Sequence, residues 1–566
     1  MKTFFSKIFS SIRFDKIKIN LLIILISAFF LMPILAIFRQ SIGDSSTSIR
    51  HLWQTVLTTY LENSLLLVLG TVLISLILAL PCAVLVSRYQ FRSRAVLQWL
   101  LCLPLAIPAY LLAYFYTDFL DYSGVLQRSL RAWFGWKTAQ DYWFPSIRTL
   151  EGACIILGLS LYPYIFLLSR LALLEQAENL SQSAALLGAK RWQIFYRVTL
   201  PLIRPAIAVG CALVAMETLG DFGTVFYFAV PTLTTAIYDT WLGFSDLHAA
   251  SQISLAMLGL ITLFILLERY ARRRQRHYQR GSEKTHSLKP LTGIARLLPI
   301  YAWTIVLFAF FLPISRLLYW SWLYFDQAWS ENFGQYALNS LLVSSLAMVV
   351  CVVLALLLHF YRRLQQKQIA NYGLRFATLG YAIPGTVLAI GLLIPLTGAD
   401  HLLHSLTKFL GLPSFGLIFS GSIVALVVAY VIRFSTMAVG SLDTALAKIP
   451  PSLDMAGRTL GHSPFAVWRK IHFPLLRKGI LTALLMVFIE SMKELNASLL
   501  LRPFNFDTLA THVFTYTSDE QLEKAALPAV VLVLVGLLPV IYITRSLLSE
   551  STTKPFIKIE DKCQQE

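Results

Sequence analysis

The sequence predicts an all-α membrane protein with about 12 transmembrane helices in two parallel six-helix repeats. This prediction depends on the composition, the number of long apolar stretches and an internal repeat. Of the 566 residues, 57% are hydrophobic and only 14% are charged, whereas soluble domains average about 25% charged residues. The mean hydropathy of +0.65 excludes a disordered or collagenous chain. In so apolar a chain, the net charge of +18 indicates membrane topology and not nucleic-acid binding.

The chain contains twelve long apolar stretches, six in each half. A bilayer-spanning helix needs about 20 predominantly apolar residues. The stretches that meet this requirement are 21–40, 61–86, 95–117, 152–170, 201–222, 250–268, 296–318, 338–360, 374–396, 418–439, 476–495 and 526–546. The predicted segments are a tail 1–20, a first repeat 21–268, a basic linker 269–295, a second repeat 296–546 and a tail 547–566.

The positions of Lys and Arg predict which loops are cytoplasmic, because these residues resist translocation. They concentrate in the amino-terminal tail, in the turn after the second span and in the linker, whereas the segments 223–249 and 319–337 contain none. We therefore predict that both termini are cytoplasmic. The connection 118–151 is an exception, since it carries basic and acidic residues on the predicted outer side.

Landmarks recur in both halves at nearly constant offsets, which indicates a duplication. In each half a glycine stands 13 residues before a proline, and the offset between the two copies is 273. Other landmarks follow an offset of 276. The matched residues are Gly188 with Gly461, Pro201 with Pro474, Asn63 with Asn339, and Pro108 with Pro384. Six spans per half give both halves the same orientation, which predicts a passage at their interface.

Two cytoplasmic loops interrupt the hydropathy pattern, and each is predicted to form a helix, a glycine and a second helix. The glycine suits a left-handed helix end, and the proline suits the first turn of the next span. Exposed aromatic residues on such a helix are typical of a docking surface, although an amphipathic helix on lipid head groups is an alternative. The predicted docking residues are Gly188, Ala189, Trp192, Phe195, Pro201, Gly461, Phe465, Trp468 and Pro474.

The two loops resemble the EAA loop of ATP-binding-cassette importer permeases, in which glycine lies 13 residues before proline. The resemblance implies two ATPase subunits that bind ATP and Mg, and an extracytoplasmic solute-binding protein that delivers the substrate. The chain departs from the motif at Gln182 and Met455, where the family has glutamate. It contains no GxxxxGK[ST] phosphate-binding loop. We therefore expect no cofactor and no enzymatic activity in this chain.

A finer resemblance is to fused two-repeat permeases for ferric iron in the bacterial inner membrane. It rests on the segments 216–224, 382–389, 490–503 and 507–510. Related two-repeat permeases carry thiamine or phosphonate, so these substrates remain alternatives. A secondary ion-coupled transporter and a membrane enzyme are alternatives of other classes. The matched docking loops argue against the former, and the lack of a convergent catalytic set argues against the latter.

Four carboxylates lie near the ends of two equivalent predicted helices. Glu217 and Asp221 are four residues apart, as are Glu490 and Glu494, so each pair shares a helix face. A charge within the bilayer costs about 2.5–3.5 kcal/mol and therefore faces a cavity or a partner. Two interpretations remain open. The carboxylates form an acidic ring suited to hard cations such as Fe³⁺, or they are structural, with Lys493 neutralising Glu490.

Weaker signals mark other positions. Pro104, Pro108 and Gly385 predict helix breaks near the passage. His401 and His404 form a weak candidate metal site on the predicted outer side. Pro104, Pro108 and Gly385 are not predicted to bind the substrate as ligands.

Overall fold

Helices make up nearly all of the computed structural model, which describes residues 16–42, 46–175, 178–273, 288–329, 332–363 and 368–550. In lipid every backbone N–H and C=O needs an internal partner, which a helix provides. In the described chain the only strands are β1, Tyr89–Gln90, and β2, Lys289–Pro290, which pair in parallel. The all-α prediction is confirmed. Most of the amino-terminal tail, the middle of the linker and the end of the carboxy-terminal tail lie outside the described residues.

We number the helices in chain order. Those of the first half are α1 Lys16–Ser41, α2 Ser46–Thr55, α3 Leu57–Arg88, α4 Arg94–Leu100, α5 Ala109–Leu120, α6 Val125–Phe134, α7 Leu150–Glu175, α8 Glu178–Leu186, α9 Arg191–Ile194, α10 Leu200–Gly220, α11 Gly223–Tyr227, α12 Leu233–Tyr238 and α13 Leu247–Arg273. Those of the second half are α14 Leu298–Val306, α15 Leu312–Leu323, α16 Phe325–Ala328, α17 Phe333–Arg363, α18 Ile369–Ala377, α19 Gly385–Phe409, α20 Ile423–Ala447, α21 Pro451–Thr459, α22 Pro464–Val467, α23 Phe473–Leu475, α24 Arg477–Met492, α25 Asn496–Leu501, α26 Leu509–Ser518 and α27 Leu522–Glu550.

Nine helical segments of the described residues are long and apolar enough to cross a membrane. The number rises to eleven if each of two bent pairs counts as one span. One pair, Arg94–Ala106 with Ala109–Phe134, bends by 92°, and the other, Pro464–Leu475 with Arg477–Met492, bends by 72°. The remaining predicted stretch, 526–546, lies within α27. The chain is therefore a multi-pass membrane protein.

The two halves interlock through their first helices. In the first half, α1 packs against α18 and α19 of the second half and buries Ile23, Phe30 and Ile37. In the second half, α14 packs against α3 and α4, and α15 packs against α5. Each half thus completes part of the hydrophobic core of the other.

Side-chain contacts repeat the duplication in three dimensions. Asn63 Nδ2 donates to the Pro231 carbonyl at 3.0 Å, and Asn339 Nδ2 donates to the Asp507 carbonyl at 3.0 Å. The serine after each asparagine accepts the first backbone N–H of α12 or α26, at 2.9 and 2.7 Å. The Asn-Ser pairs therefore tie the second span of each half to equivalent short helices, α12 in the first half and α26 in the second.

The third span of each half is broken at a proline. Pro108 and Pro384 each follow a short 3₁₀ turn, adopt an extended ψ of 140° and 147°, and begin α5 and α19. Pro104 lies inside the first of these turns. The predicted breaks at Pro108 and Gly385 are confirmed. The predicted span 374–396 is wrong in extent, because the long helix begins only at Gly385 and continues to Phe409.

Candidate functional site

A polar cavity of about 130 Å³ lies between the two halves. Tyr164, Glu217 and Asp221 line it from the first half, and Arg433 and Glu490 are among the lining residues of the second. The broken third spans and the ends of α10 and α24 meet here. The interface that the parallel repeat predicts therefore contains a cavity with several charged groups.

Glu217 lies one turn before the end of α10 and is bound across the interface. Tyr381, in the 3₁₀ turn before α19, donates its hydroxyl to Glu217 Oε1. A second contact between the halves joins Asn496 Nδ2 to the Gly220 carbonyl at 2.6 Å. The end of α10 is thus held by two side chains of the second half.

Glu494 forms a buried ion pair with Arg433 within the second half. Arg433 Nη1 donates to Glu494 Oε1 at 3.1 Å, and the same oxygen accepts the Ala497 N–H at 3.0 Å, which caps α25. Gly385 leaves the space for this pair, because a Cβ there would lie 2.4 Å from the guanidinium and 2.6 Å from the carboxylate. A side chain at position 385 would displace the ion pair.

Glu490 and Lys493 form the ion pair expected under the structural interpretation. Lys493 Nζ lies 3.2 Å from Glu490 Oε1. It also donates to the carbonyl of Leu105 in the first half at 3.1 Å. Lys493 therefore links a carboxylate of one half to the backbone of the other.

Asp221 caps α11 and is the structural counterpart of Glu494. Its Oδ2 accepts the N–H groups of Thr224 and Val225 at 3.0 and 3.2 Å, and Thr224 Oγ1 donates to Oδ1 at 3.1 Å. Both carboxylates cap the short helix that follows their span. The alignment of Asp221 with Glu494 thus corresponds to a shared contact.

The four predicted carboxylates line one cavity, but they do not form a bare acidic ring. Arg433 and Lys493 neutralise two of them, and Asp221 is engaged as a helix cap. Within the described ranges, no three His, Cys, Asp or Glu side chains converge on a possible metal position. Their part in a cation pathway remains a prediction.

The histidine cluster has a structural explanation. Asp400, beside His401, accepts the backbone N–H groups of Phe419 and Ser420, both at 2.8 Å. His404 Nδ1 lies 3.2 Å from Ser414 Oγ. These contacts hold the loop between α19 and α20.

Sequence reasoning missed Arg433, Tyr381 and Asn496. Arg433 is the only charged residue of the predicted span 418–439, and an isolated charge in a span is a detectable signal of a functional position. Tyr381 and Asn496 had no comparable signal, because their partners lie more than 160 residues away.

The glycines of the docking loops adopt the predicted left-handed conformation. Gly188 has φ +80° and Gly461 has φ +76°. The residue after each glycine donates its N–H to the carbonyl five residues earlier, at 3.0 and 3.1 Å, which closes the helix end. Pro201 lies in the first turn of α10 as predicted. Pro474 instead lies in the separate short helix α23, and the span α24 begins at Arg477.

The aromatic residues of the two loops differ in exposure. Trp192 is 59% exposed, in agreement with the predicted docking surface. Phe195 and Phe465 are half-buried. Trp468 is only 9% exposed, since it packs edge-on against Phe360 and stacks on His472, with ring centroids 5.6 and 5.2 Å apart. The expectation of an exposed aromatic at Trp468 is therefore wrong.

A hydrogen-bonded triad of Arg363, Asp454 and His472 anchors the second docking loop. Asp454 of α21 accepts from Arg363 Nε at 2.8 Å and lies 2.6 Å from His472 Nε2. Arg363 also donates to the carbonyls of Leu446 and Ile449 at 2.8 and 2.7 Å. The triad joins the loop to the end of α17.

Residues 72–277 match the family described as "Binding-protein-dependent transport system inner membrane component". The chain therefore contains a domain of this family of transport permeases. Membership of this family implies a translocation subunit of the membrane that works with a solute-binding protein and ATPase partners. The resemblance inferred from the docking loops is confirmed.

Curated relatives extend the similarity over the whole permease. It is 26% identical to the Fe(3+)-transport system permease protein FbpB 2 of Haemophilus influenzae, over 92% of this chain and 97% of the relative. It is 24% identical to the ferric transport system permease protein FbpB of Actinobacillus pleuropneumoniae, over 91% of this chain and 75% of that relative. The molybdenum transport system permease protein ModB of Escherichia coli is 29% identical, over 39% of this chain and 93% of its own. In the last match, about two fifths of this chain aligns with nearly the whole relative.

Proposed function

We propose that this permease forms the passage of an ATP-driven importer for ferric iron. The similarity to two ferric permeases along nearly the whole chain is the observation that carries the proposal. The chemistry of the cavity agrees, since carboxylate, tyrosine and carbonyl oxygens suit hard cations.

In the proposed complex, two ATPase subunits dock on the two loops, and an external solute-binding protein delivers the iron. ATP and Mg bind to the ATPase subunits, and the permease contributes no catalytic residue. Both permease termini lie in the cytoplasm. The carboxylates Glu217, Asp221, Glu490 and Glu494 line the route of the ion.

Three hydrogen bonds between the halves close the passage in this arrangement. They join Tyr381 to Glu217, Lys493 to the Leu105 carbonyl, and Asn496 to the Gly220 carbonyl. Closure of the ATPase subunits on the docking loops moves the halves relative to each other and breaks these bonds. Alternating access then needs no binding site for nucleotide in the permease.

Uptake of radiolabelled Fe³⁺ from a weak chelate tests the proposal in iron-starved cells with and without the chain. Labelled thiamine and molybdate serve as parallel substrates. A chain with both Gly188→Asp and Gly461→Asp is the matched control, which we expect to insert normally but not to dock. The proposal is supported if cells without the chain lose iron uptake but keep the uptake of thiamine and molybdate. Loss of thiamine or molybdate uptake, or of none, contradicts the ferric assignment.

An oxyanion is the second candidate substrate. Arg433 and Lys493 line the cavity, and the relative ModB is a molybdenum permease. Both cations are, however, already bound to carboxylates, which leaves less positive charge for an anion. The molybdate arm of the uptake experiment separates this candidate from iron.

A further inference from the structure

The ammonium group of Lys493 contacts two oxygen atoms at the interface of the halves. Its two hydrogen-bond acceptors are Glu490 Oε1 at 3.2 Å and the Leu105 carbonyl at 3.1 Å. Carboxylate and carbonyl oxygens are also the ligands that hard metal cations prefer. The lysine thus occupies a position that a metal cation could take.

The charges of the cavity distinguish Lys493 from Arg433. Among the described residues, four carboxyl groups line the cavity, but only two basic side chains, Arg433 and Lys493, do so. The guanidinium of Arg433 is wedged between Glu494 and the Gly385 backbone. Lys493 is a point charge on a flexible stem with two contacts. Of the two cations, Lys493 is the one that can be displaced.

Two unpartnered polar atoms indicate that the cavity receives a ligand. The Tyr110 hydroxyl and the Arg433 Nε belong to cavity-lining side chains that are 4% and 8% exposed, and neither has a hydrogen-bond partner among the described residues. Unsatisfied polar groups are costly in a membrane interior. A cation that arrives with water or a small ligand in its coordination shell supplies partners for both.

We propose that Lys493 is an internal counter-cation that holds the place of the transported ion in the closed passage. An incoming hard cation displaces the ammonium from Glu490 and from the Leu105 carbonyl, which also breaks one of the three hydrogen bonds that join the halves at the cavity. Without cargo, the tethered charge repels small cations and limits their leakage. The inference rests on the proposed import of ferric iron, because it assigns that cargo a position.

Terbium luminescence tests the inference on purified permease in lipid nanodiscs, with Tb³⁺ as a hard trivalent probe excited through nearby tyrosine. Lys493→Met keeps the length of the side chain and removes its charge. We expect it to bind Tb³⁺ at least about tenfold more tightly than the wild type, because one nearby positive charge is lost. The double variant Lys493→Met/Glu490→Gln is expected to lose this gain. Thermal unfolding verifies that each variant is folded.

Two further variants serve as controls. Lys478→Met removes an exposed lysine from the other end of α24 and is expected to leave Tb³⁺ affinity unchanged. Lys493→Arg keeps the charge and is expected to bind Tb³⁺ as weakly as the wild type. Equal affinities of the wild type and Lys493→Met overturn the inference, as does a gain that survives Glu490→Gln.

The outcome is separable from that of the uptake experiment. A tighter site in Lys493→Met without iron uptake in cells contradicts the ferric proposal and leaves the cation site standing. Iron uptake without any change in Tb³⁺ affinity overturns the site and leaves the transport function standing. Stabilisation of the wild type by molybdate that disappears in Lys493→Met also overturns the inference, because Lys493 then binds an anion.

Discussion

The two docking loops occupy equivalent positions in the duplicated chain but are held in different ways. The second loop is tied to α17 by the triad of Arg363, Asp454 and His472. At the equivalent positions the first half has Ser87, Ser181 and Thr199. None of these can form an ion pair, so the first loop lacks the triad.

The exposure of the aromatic residues follows the same division. Leu187 and its equivalent Leu460 are both exposed. The aromatic residues differ: Trp192 is exposed where the second loop has the half-buried Phe465, and Trp468 is buried where the first loop has the half-buried Phe195. Both loops keep the left-handed glycine that sets the angle between their helices. The comparison teaches that the backbone shape of the repeat was retained while its anchoring diverged. We infer that the second loop is rigid before docking and that the first gains order from its ATPase subunit.

Removal of the Trp468 ring is expected to have the largest effect. Trp468→Ala opens a cavity between Phe360 and His472 and should lower the free energy of unfolding by about 3–5 kcal/mol. Phe195→Ala, the equivalent change in the first loop, should cost about 1 kcal/mol, because Phe195 is only half-buried. Thermal unfolding in nanodiscs measures both, and equal losses would contradict the difference in packing.

Loss of the triad should release the second loop. Asp454→Ala leaves Arg363 and His472 without their shared carboxylate, with an expected cost of about 1.5–3 kcal/mol. Hydrogen exchange of residues 451–475 is expected to accelerate. The matched change Ser181→Ala should alter stability by less than about 0.5 kcal/mol. Unchanged exchange in Asp454→Ala would show that the triad does not anchor the loop.

Valine at either loop glycine should strain the helix end by about 1–2 kcal/mol, since a residue with a Cβ is disfavoured at positive φ. The triad of Arg363, Asp454 and His472 still holds the second loop in place. Gly188→Val should therefore reduce co-purification of the ATPase more than Gly461→Val. Asparagine tolerates this conformation, and Gly188→Asn and Gly461→Asn are the controls. A stronger defect in Gly461→Val would reverse the proposed order of rigidity.

The smallest effect on stability is expected for Trp192→Ala. The side chain is exposed, so the free energy of unfolding should change by less than about 0.5 kcal/mol. Binding to the ATPase should nevertheless weaken about tenfold if Trp192 is an interface anchor. Trp133→Ala removes another exposed tryptophan, 85% exposed, from the connection 118–151 and should leave that affinity unchanged. Equal ATPase affinity of Trp192→Ala and the wild type would remove Trp192 from the interface.

Features that depend on a few neighbouring residues were predictable from the sequence. Apolar stretches of span length gave the helical class, since lipid permits few other structures. Gly188 and Gly461 were identified as left-handed because a helix that ends at glycine is stabilised locally. Pro108 and Pro384 interrupt helices because proline lacks an N–H. The offsets of 273 and 276 revealed the duplication without any knowledge of contacts.

Other features were decided by contacts between distant segments. The sequence showed four carboxylates of similar position, but only the packed halves pair Glu217 with Tyr381 and Glu494 with Arg433. Likewise, Phe195 and Trp468 are aromatic residues at equivalent positions of the two loops, but Phe195 is half-buried, whereas Trp468 packs against Phe360 and is buried. Local energetics selects the helix and its end. Which polar group is neutralised and which ring is buried depends on the surface that another part of the chain brings against it.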